Sequence, residues 1–478
     1  MYDSKLMTRA RDLSRAYLET LPARRVAASG SRDELLAALG GPMPAAGEEP
    51  EAVLAALANG ADRGLVATAG PRYFGFVIGG SLPAALASDW LVSAWDQNAG
   101  LFVGSPAASV IEEVAARWIL DLLGLPETAA VGFVTGGQMA NFTCLAAARH
   151  EVLKRAGWDV EARGLTRAPT VEVVMGEDAH VTIRSSLRLL GLGIDRIVTV
   201  PADDQGRMMP SELRRTLTRC EAPLIVCAQV GNVNTGAFDR VGDIAEIAHA
   251  RQAWLHVDGA FGLWAAASPS LSDRTAGIGS ADSWALDAHK WLNVPYDCGI
   301  AIVAHAGALR ASMGATASYL VGGRDGERDP LEFVPEFSRR ARGVPVYAAL
   351  RSLGRRGLAD LVERCCAHAR LMATLLARSD QARVLNDVVL NQVLVRFVPS
   401  ATPHSGDGGD DGAFTRAVIA RVQRDGTCWA GGTDWRGSAA MRISVSNWST
   451  TSEDIERSAE AILRAAREAD AECSRRLR

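Results

Sequence analysis

The sequence predicts an α/β protein with a large domain on a mainly parallel β-sheet and a smaller α+β domain near the C-terminus. Two observations lead to this prediction. Between about residues 130 and 305, apolar strand-like runs alternate with helical stretches, as in parallel sheets whose strands are joined by helices. After residue 344 the order changes to a long helical stretch, two strand-like runs and two further helices. With 478 residues, 48% of them hydrophobic, the chain is long enough for two cores.

The individual elements follow from hydrophobic periodicity and from the residues that interrupt it. An amphipathic pattern predicts a helix over 6–21, ended by Pro22, and another helix begins at Pro50. In the large domain we expect strands at 171–175, 196–200, 223–230, 254–258, 283–286 and 298–303, and helices at 185–190, 211–220 and 243–251. In the C-terminal part we expect a helix at 344–377, strands at 390–397 and 440–446, a helix at 414–424 and a last helix after the capping-box-like residues 451–454.

The domain organisation expected along the chain has three parts. Residues 1–75 form a helical arm that serves dimerisation, 76–345 a large domain, and 346–478 a small α+β domain. Within the last, residues 401–412 are almost free of large apolar side chains, which predicts a flexible surface loop.

Composition argues against several classes of function. The net charge of −4, from 51 basic and 55 acidic residues, gives no electrostatic case for nucleic-acid binding. The first residues show no apolar signal segment, and no run of about 18 apolar residues occurs, so we expect a cytoplasmic protein without a membrane span. The eight cysteines lack C-x-x-C or histidine-paired spacing, so neither a metal site nor a disulfide framework is expected.

The most informative residue is Lys290, which follows His289 and precedes Trp291. Asp258 ends an apolar strand-like run 32 positions earlier. A pyridoxal ring needs a lysine that holds its aldehyde and a carboxylate that keeps its ring nitrogen protonated, so the pair suggests pyridoxal 5'-phosphate as cofactor. Either residue alone is more often a solvated lysine or a turn-forming aspartate.

Two further elements fit the same cofactor. A glycine pair, Gly136 and Gly137, precedes Gln138 and an Ala-rich helix, and the N–H groups at such a helix start bind phosphate. His180 follows another apolar run, where a histidine can lie flat on the cofactor ring and orient the substrate carboxylate. Alone, these features are more often an ordinary helix start and a structural histidine.

The order of phosphate loop, histidine, aspartate and lysine resembles the group II pyridoxal-phosphate-dependent amino acid decarboxylases, the relatives of aromatic amino acid and glutamate decarboxylase. The resemblance begins at 70–76, which looks like the family's HP-x-[FY]-[FY] segment without its histidine. It continues through 105–107 with Glu112 and Glu113, and through 338–342, which looks like the family's G-R-R-x-[RD] segment. It implies a fold-type I, transferase-like large domain with a seven-stranded sheet, and a homodimer with the active site at the interface.

Site residues carried over by this resemblance have distinct roles. Lys290 would hold the cofactor, Asp258 its ring nitrogen, and His180 would stack on the ring. The remaining implied cofactor contacts are Ala260, Asn234, Thr235, Asp287 and His289. The implied reaction is decarboxylation of an L-amino acid to the amine and CO2 through a Lys290 aldimine and a quinonoid, with Lys290, His180 and Asp258 as the catalytic residues.

Two departures from the family pattern bear on the product. Residues 322–335 contain no tyrosine, whereas the decarboxylases usually carry there a tyrosine that protonates the carbanion; Tyr319 lies upstream and matches a different position. Loss of that tyrosine is associated in the family with aldehyde formation. Val233 replaces a threonine of many relatives. An aldehyde synthase, a retro-aldol lyase, an aminotransferase and a non-catalytic cofactor-binding protein therefore remain alternatives.

The side chain of the substrate is expected to be apolar or aromatic. By position in the family, Phe76, Val77, Ile78 and Gly79 would line it, together with Trp95 and Phe102. The same side chains could instead pack in the core or at the dimer interface. Arg442, on a C-terminal strand-like run, would either bind the substrate carboxylate or form a structural ion pair.

Overall fold

The computed structural model describes residues 4–221, 223–315, 326–400 and 409–476. These residues divide into two units. The first comprises Met1–Ile78, Leu371–Val384 and Val395–Arg478, and the second comprises Gly79–Arg370 and Leu385–Leu394. The three-part division at 75/76 and 345/346 remains a prediction.

The elements alternate in the order expected of an α/β protein. The described helices are α1 (Ser4–Thr20), α2 (Arg32–Leu39), α3 (Pro50–Ala61), α4 (Pro83–Trp95), α5 (Pro106–Leu123), α6 (Gly137–Arg155), α7 (Val160–Arg163), α8 (Val181–Leu189), α9 (Pro210–Leu217), α10 (Val241–His249), α11 (Ala306–Met313), α12 (Gly343–Leu376), α13 (Gly409–Asp425) and α14 (Ser452–Arg476). The described strands are β1 (Ala130–Val134), β2 (Glu172–Gly176), β3 (Ile197–Val200), β4 (Leu224–Gln229), β5 (Trp254–Asp258), β6 (Ser283–Asp287), β7 (Gly299–Val303), β8 (Ala382–Val384), β9 (Gln392–Phe397), β10 (Gly431–Trp435) and β11 (Ser438–Ser444).

A seven-stranded sheet organises the second unit, in the order β1-β7-β6-β5-β4-β2-β3. Strand β7 is antiparallel to both of its neighbours, and the remaining pairs are parallel. Every residue of β1, β4, β5, β6 and β7 is buried. Burial along the whole strand is typical of a sheet covered on both faces, so the predicted mainly parallel, seven-stranded α/β fold is confirmed.

Helix α6 packs on this sheet through small side chains. Ala140, Cys144 and the run 146–148 are buried, and they belong to the same apolar cluster as Val173 and Ile225 of the sheet. Small residues let the helix axis approach the strands closely. The start of α6 is thereby fixed at the sheet edge where the candidate site lies.

The first unit contains α1, α2, α3, α13, α14 and most of a four-stranded sheet in the order β10-β11-β9-β8. The pairs β10/β11 and β8/β9 are antiparallel, as expected of the predicted α+β part. Helix α13 begins at Gly409, so the loop predicted for 409–412 is wrong, while 401–408 lie outside the described residues. Polar and small residues can extend a helix N-terminally because its first turn needs no intrahelical partners for its N–H groups.

Candidate cofactor site

The predicted site residues follow strands that run in the same direction. Gly136 follows β1, His180 follows β2, Asp258 ends β5, and Lys290 lies three residues after β6. Because β1, β2, β5 and β6 are mutually parallel, their carboxyl ends lie at one edge of the sheet. Ligands bind at this edge in open α/β sheets. The fold therefore gathers the four sequence motifs at one edge.

Lys290 is held by a buried carboxylate. Its Nζ lies 2.9 Å from Oδ2 of Asp287, and the side chains are 20% and 2% exposed. Among the described residues, Oδ1 of Asp287 has no hydrogen-bond partner, although Nε2 of His289 lies 3.4 Å away. Asp287 is therefore fixed behind the lysine, where it orients the amino group towards the sheet edge.

The hydrogen bonds of His289 determine which of its two ring nitrogens carries the proton. Its Nδ1 accepts a hydrogen bond from the backbone N–H of Cys298 at 3.1 Å, so the proton of the neutral ring is on Nε2, which faces Asp287. Burial lowers the pKa of His289, against the opposing effect of Asp287. The ring also stacks on Tyr296, with 4.2 Å between centroids.

The start of α6 is suited to an anion. Gly136 is its N-cap and provides no side-chain cap, so the first N–H groups of a 19-residue helix are left for another acceptor. A Cβ on Gly137 would lie 2.6 Å from Oδ2 of Asp287, and one on Gly299 would lie 2.4 Å from the Gly136 carbonyl carbon. The absence of side chains here keeps this helix start within a few ångströms of the Lys290–Asp287 pair; Gln138, the next residue, is exposed.

Asp258 is 4% exposed, and each of its oxygens accepts one hydrogen bond. Oδ1 accepts from the backbone N–H of Ala260 at 3.2 Å, and Oδ2 accepts from Nδ2 of Asn141 at 3.2 Å. The same Asn141 amide lies 3.1 Å from Oγ1 of Thr182, which is 2.8 Å from Nδ1 of His180. The structure thus brings Asp258 and His180 together through two intermediate side chains.

Asn234 and Thr235 lie in the loop that follows β4. The loop starts beside Asp258, whose carbonyl oxygen accepts from the N–H of Val230 at 2.9 Å. The hydroxyl of Thr235 donates to the carbonyl oxygen of Gln205 at 2.7 Å, which holds the loop in place. Contact of Asn234 and Thr235 with the cofactor remains a prediction.

The predicted substrate residues have different environments. Phe76 is 62% exposed, has φ +55, and stacks on Trp429 with 5.4 Å between centroids. Val77 is buried with φ +66, and Ile78 is half-buried. Trp95 is exposed, and Phe102 is half-buried. Trp95 also lines a cavity of about 280 Å³, together with Val92, Ile111 and Val344. Burial lowers the pKa of Arg442, which pairs with Gly431 across β10 and β11.

The segment that follows Ile78 contacts the Lys290 loop directly. A Cβ on Gly79 would lie 1.8 Å from the carbonyl oxygen of Lys290. The N–H of Gly80 donates to Oδ1 of Asn293 at 2.6 Å, and the N–H of Leu82 donates to the Asn293 carbonyl at 2.8 Å. Only a glycine at 79 permits this approach, so Gly79 and Gly80 are fixed against the lysine loop.

A buried ion pair joins two of the motif segments recognised in the sequence. Nη2 of Arg339 lies 2.7 Å from Oε2 of Glu112, and both side chains are 1% exposed. Nη1 of Arg339 donates to the carbonyl oxygen of Phe133 in β1 at 3.2 Å. The Arg-Arg segment is therefore anchored to α5 and to the strand that precedes the phosphate loop.

Sequence reasoning missed the polar residues that support the site, namely Asn141, Thr182, His256, Ser283 and Asn293. A signal existed for two of them. His256 lies two positions before Asp258 on the same face of a strand, and Asn141 lies one turn into α6 from Gly137. A polar side chain on an otherwise buried face usually has a partner there.

The remaining sequence expectations concern metals, cysteines and membranes. Among the residues described, no group of three or more His, Cys, Asp or Glu side chains could hold a metal ion. All eight cysteines are free thiols. In the described part of the chain, no helix has both the length and the apolar character that crossing a membrane requires.

The site offers a partner for each functional part of pyridoxal phosphate. Lys290 provides a primary amine for the aldehyde, Asp258 a buried carboxylate for the ring nitrogen, and the uncapped start of α6 provides N–H donors for the phosphate. The glycines that a side chain could not replace lie where the phosphate would approach. The residues present therefore fit this cofactor.

Comparison with known proteins gives the same result. Residues 39–398 match the pyridoxal-dependent decarboxylase conserved domain. The chain is 25% identical over 451 residues to the aromatic-L-amino-acid decarboxylase of Bacillus atrophaeus, which covers 93% of this chain and 91% of that protein. It is 26% identical over 442 residues to the 4-hydroxyphenylacetaldehyde synthase of Rhodiola rosea, over 90% and 87% of the two chains. The structure of Oryza sativa TDC with PLP and tryptamine superposes with a TM-score of 0.90 at 22% identity, over 98% of this chain and 99% of that chain.

Proposed function

Because this chain belongs to the pyridoxal-dependent decarboxylase family, we propose that it converts an L-amino acid with an aromatic or apolar side chain to the amine and CO2. One observation carries the proposal. The amino group of Lys290 lies 2.9 Å from buried Asp287, at the sheet edge that also holds Asp258 and the uncapped start of α6. A lysine with both an acidic neighbour and an anion-binding helix start suits a cofactor that carries an aldehyde and a phosphate, as pyridoxal phosphate does.

When bound, pyridoxal phosphate supplies an electron sink for the electron pair that remains after the carboxyl group leaves. The residues of the chain do the rest. The Nζ of Lys290 would hold the cofactor through its aldehyde and would be freed on exchange with the substrate amine. The carboxylate of Asp258 would keep the ring nitrogen protonated, and His180 would hold the ring and orient the scissile bond.

The product depends on the group that delivers the final proton to the substrate carbon. Residues 322–335 contain no tyrosine, and Tyr319 and 322–325 lie outside the described residues. In the proposal, Nζ of Lys290 delivers this proton after the substrate amine has displaced it, or a water molecule does. The alternative, oxidative conversion to an aldehyde, is favoured by the missing tyrosine and by the 26% identical 4-hydroxyphenylacetaldehyde synthase.

Preference for an aromatic or apolar substrate is supported by Phe76. A large aromatic side chain that is 62% exposed, on a backbone with φ +55, is uncommon and costs conformational energy. Backbone strain of this kind is held by surrounding contacts and clusters at functional sites. Stacking on Trp429 holds the Phe76 ring in one orientation, so an aromatic substrate side chain could pack against it. For Arg442, both a substrate-carboxylate contact and a structural role stay open.

The quaternary structure proposed is a homodimer with the active site at its interface. Apolar side chains on and beside α4 and α5 are exposed in the isolated chain: Trp90 43%, Leu91 48%, Trp95 47%, Val103 70% and Val110 47%. Exposed apolar surface of this extent marks an interaction face. Sedimentation velocity should give the mass of two chains, and Leu91→Glu should shift it towards one chain.

The cytoplasmic location stays a prediction.

The direct test is to incubate the protein with pyridoxal phosphate and a panel of L-amino acids in air. Mass spectrometry identifies the products, while an oxygen electrode and a peroxide assay follow oxidation. An amine without oxygen consumption supports the proposal. An aldehyde with ammonia and peroxide replaces it with the aldehyde synthase. Glycine formation indicates a retro-aldol lyase, and dependence on a keto acid an aminotransferase.

The preference for an aromatic substrate can be tested by substituting Phe76. Phe76→Ala should raise KM for aromatic amino acids more than for leucine, since only the aromatic side chains lose a ring contact. Phe337→Ala serves as the matched control, because Phe337 is also exposed, at 44%, and is not assigned to the substrate. Equal effects of the two substitutions on both substrates would remove Phe76 from the proposed substrate contacts.

A further inference from the structure

A buried hydrogen-bond network lies behind Asp258, and Asn141 is at its centre. Asn141 is 1% exposed. Its Nδ2 lies 3.2 Å from Oδ2 of Asp258 and 3.1 Å from Oγ1 of Thr182, and its Oδ1 lies 2.9 Å from Nε2 of His256. A carboxylate oxygen only accepts, so the amide nitrogen must face Asp258. The amide oxygen then faces His256, whose Nε2 must donate.

The far side of the network is compatible with the same orientation. Burial lowers the pKa of His256 to about 3, so its ring is neutral and carries one proton. With that proton on Nε2, Nδ1 accepts from the hydroxyl of Ser283 at 2.9 Å. The Ser283 oxygen in turn accepts from the indole N–H of Trp254 at 2.8 Å. Donors and acceptors match at each step, so the Asn141 amide has one satisfied orientation.

On the near side the network reaches His180. Because the second amide hydrogen of Asn141 points at Oγ1 of Thr182, the Thr182 hydroxyl hydrogen is available for Nδ1 of His180 at 2.8 Å. The backbone N–H of Thr182 is also directed at this Nδ1, at 3.4 Å. An Nδ1 that accepts two donors carries no proton, so neutral His180 is protonated on Nε2.

We infer that Asn141 is a positioning residue whose single amide orients the Asp258 carboxylate and, through Thr182, sets the tautomer of His180. The two groups that would hold the cofactor ring are thereby fixed by one side chain. The inference rests on the cofactor site and does not depend on the substrate or on the product. Asn141→Leu keeps the branched shape of the side chain but leaves Asp258 and Thr182 without their common donor.

The test uses protein labelled with ¹⁵N-histidine, with and without pyridoxal phosphate. The ring nitrogen shifts distinguish the two tautomers, and His180→Gln identifies the His180 signals. Wild-type protein should show His180 protonated on Nε2 in both states. Asn141→Leu and Thr182→Val should populate the Nδ1-protonated form. Asn141→Leu should also weaken cofactor binding about tenfold, whereas Thr182→Val should leave it within about twofold, since the Asn141 side chain, and not that of Thr182, donates to Asp258.

Thr143→Val is the matched control, because Thr143 is also buried in α6 and its hydroxyl bonds only within the helix, to the carbonyl of Met139. Thr143→Val should change neither the tautomer of His180 nor the affinity for pyridoxal phosphate. Wild-type His180 protonated on Nδ1, or a folded Asn141→Leu with unchanged tautomer and affinity, would overturn the inference. If Asn141→Leu does not fold, as judged by circular dichroism, an unchanged tautomer in Thr182→Val at its half-buried site overturns it instead. Failure of the amino acid panel with the tautomer result intact would count against the proposed function only.

Discussion

Replacing Gly79 with alanine adds one carbon where Gly79 meets the Lys290 loop. The new Cβ would lie 1.8 Å from the carbonyl oxygen and 2.9 Å from the carbonyl carbon of Lys290. Ordinary contact begins at 3.4 Å, so one of the two backbones must move by about 1.6 Å. Both contacting atoms belong to the main chain, so no side-chain rotation can relieve the overlap.

Two results are expected from Gly79→Ala. Overpacking of this size should lower the free energy of unfolding by about 1–3 kcal/mol in urea denaturation. Displacement of the lysine loop by about 1 Å should lower kcat/KM for the best amino acid of the panel about 100-fold. Gly307→Ala is the control, because a Cβ there meets no atom within 4 Å. Unchanged stability and kcat/KM in Gly79→Ala would refute the role given to this contact.

Two further predictions concern buried charge and protonation. Glu112→Gln should lower the free energy of unfolding by about 3–5 kcal/mol, because it leaves the buried guanidinium of Arg339 without its counter-charge. Asp121→Asn, which removes one partner of an exposed ion pair, should lower it by less than about 1 kcal/mol. Equal losses of stability in the two variants would contradict this difference. Burial lowers the pKa of His256 from 6.5 to about 3, so between these two pH values the histidine binds a proton in the unfolded chain but not in the folded protein. Its contribution to stability is therefore complete above about pH 6.5. As pH falls towards 3 this contribution is lost, by up to about 1.4 kcal/mol per pH unit. Urea unfolding at pH 7 and pH 5 should therefore show a larger difference for wild type than for His256→Gln, and identical differences would contradict the buried neutral histidine.

The main strands, and with them the sheet edge where the proposed cofactor residues lie, could be predicted from the sequence for one physical reason. Strands of a parallel sheet are buried on both faces, so they read as short apolar runs, and the polar residues just beyond each run lie near the ligand-binding edge. Asp258 ends such a run, whereas His180 and Lys290 each lie a few residues beyond theirs. The strand predicted at 254–258 has the observed bounds.

Helices α4 and α5 are absent from the sequence-based prediction for a related reason. Each begins with a proline in its first turn, which is a helix-start signal. Their apolar residues, however, lie on exposed as well as buried faces, as Trp90 and Leu91 do, so no one-sided stripe marks them. If the exposed faces of α4 and α5 are buried against a second chain, their apolar residues serve two different contacts, and the sequence of one helix then shows no single apolar stripe.

The supporting network and the strained segment could not be predicted in the same way. Asn141 and His256 are linked only after α6 packs on β5, and the spacing of residues in the chain does not report that contact. Positive φ at Phe76 and Val77 contradicts the ordinary preference of both residue types, so no local rule predicts it. Such exceptions are expected at functional sites, where tertiary contacts outweigh local preference.

The central claim is that Lys290 binds pyridoxal phosphate covalently, and the composition of the chain allows a decisive measurement. The sequence contains three lysines, Lys5, Lys154 and Lys290, and the first two are exposed on helices α1 and α6. The cofactor-loaded protein is reduced with borohydride, digested and mapped by mass spectrometry. The pyridoxyl phosphate group should be found on the peptide with Lys290 at about one per chain, and Lys290→Ala should carry none. A group on Lys5 or Lys154 alone, or an unmodified Lys290 in protein that retains the cofactor, would contradict the account.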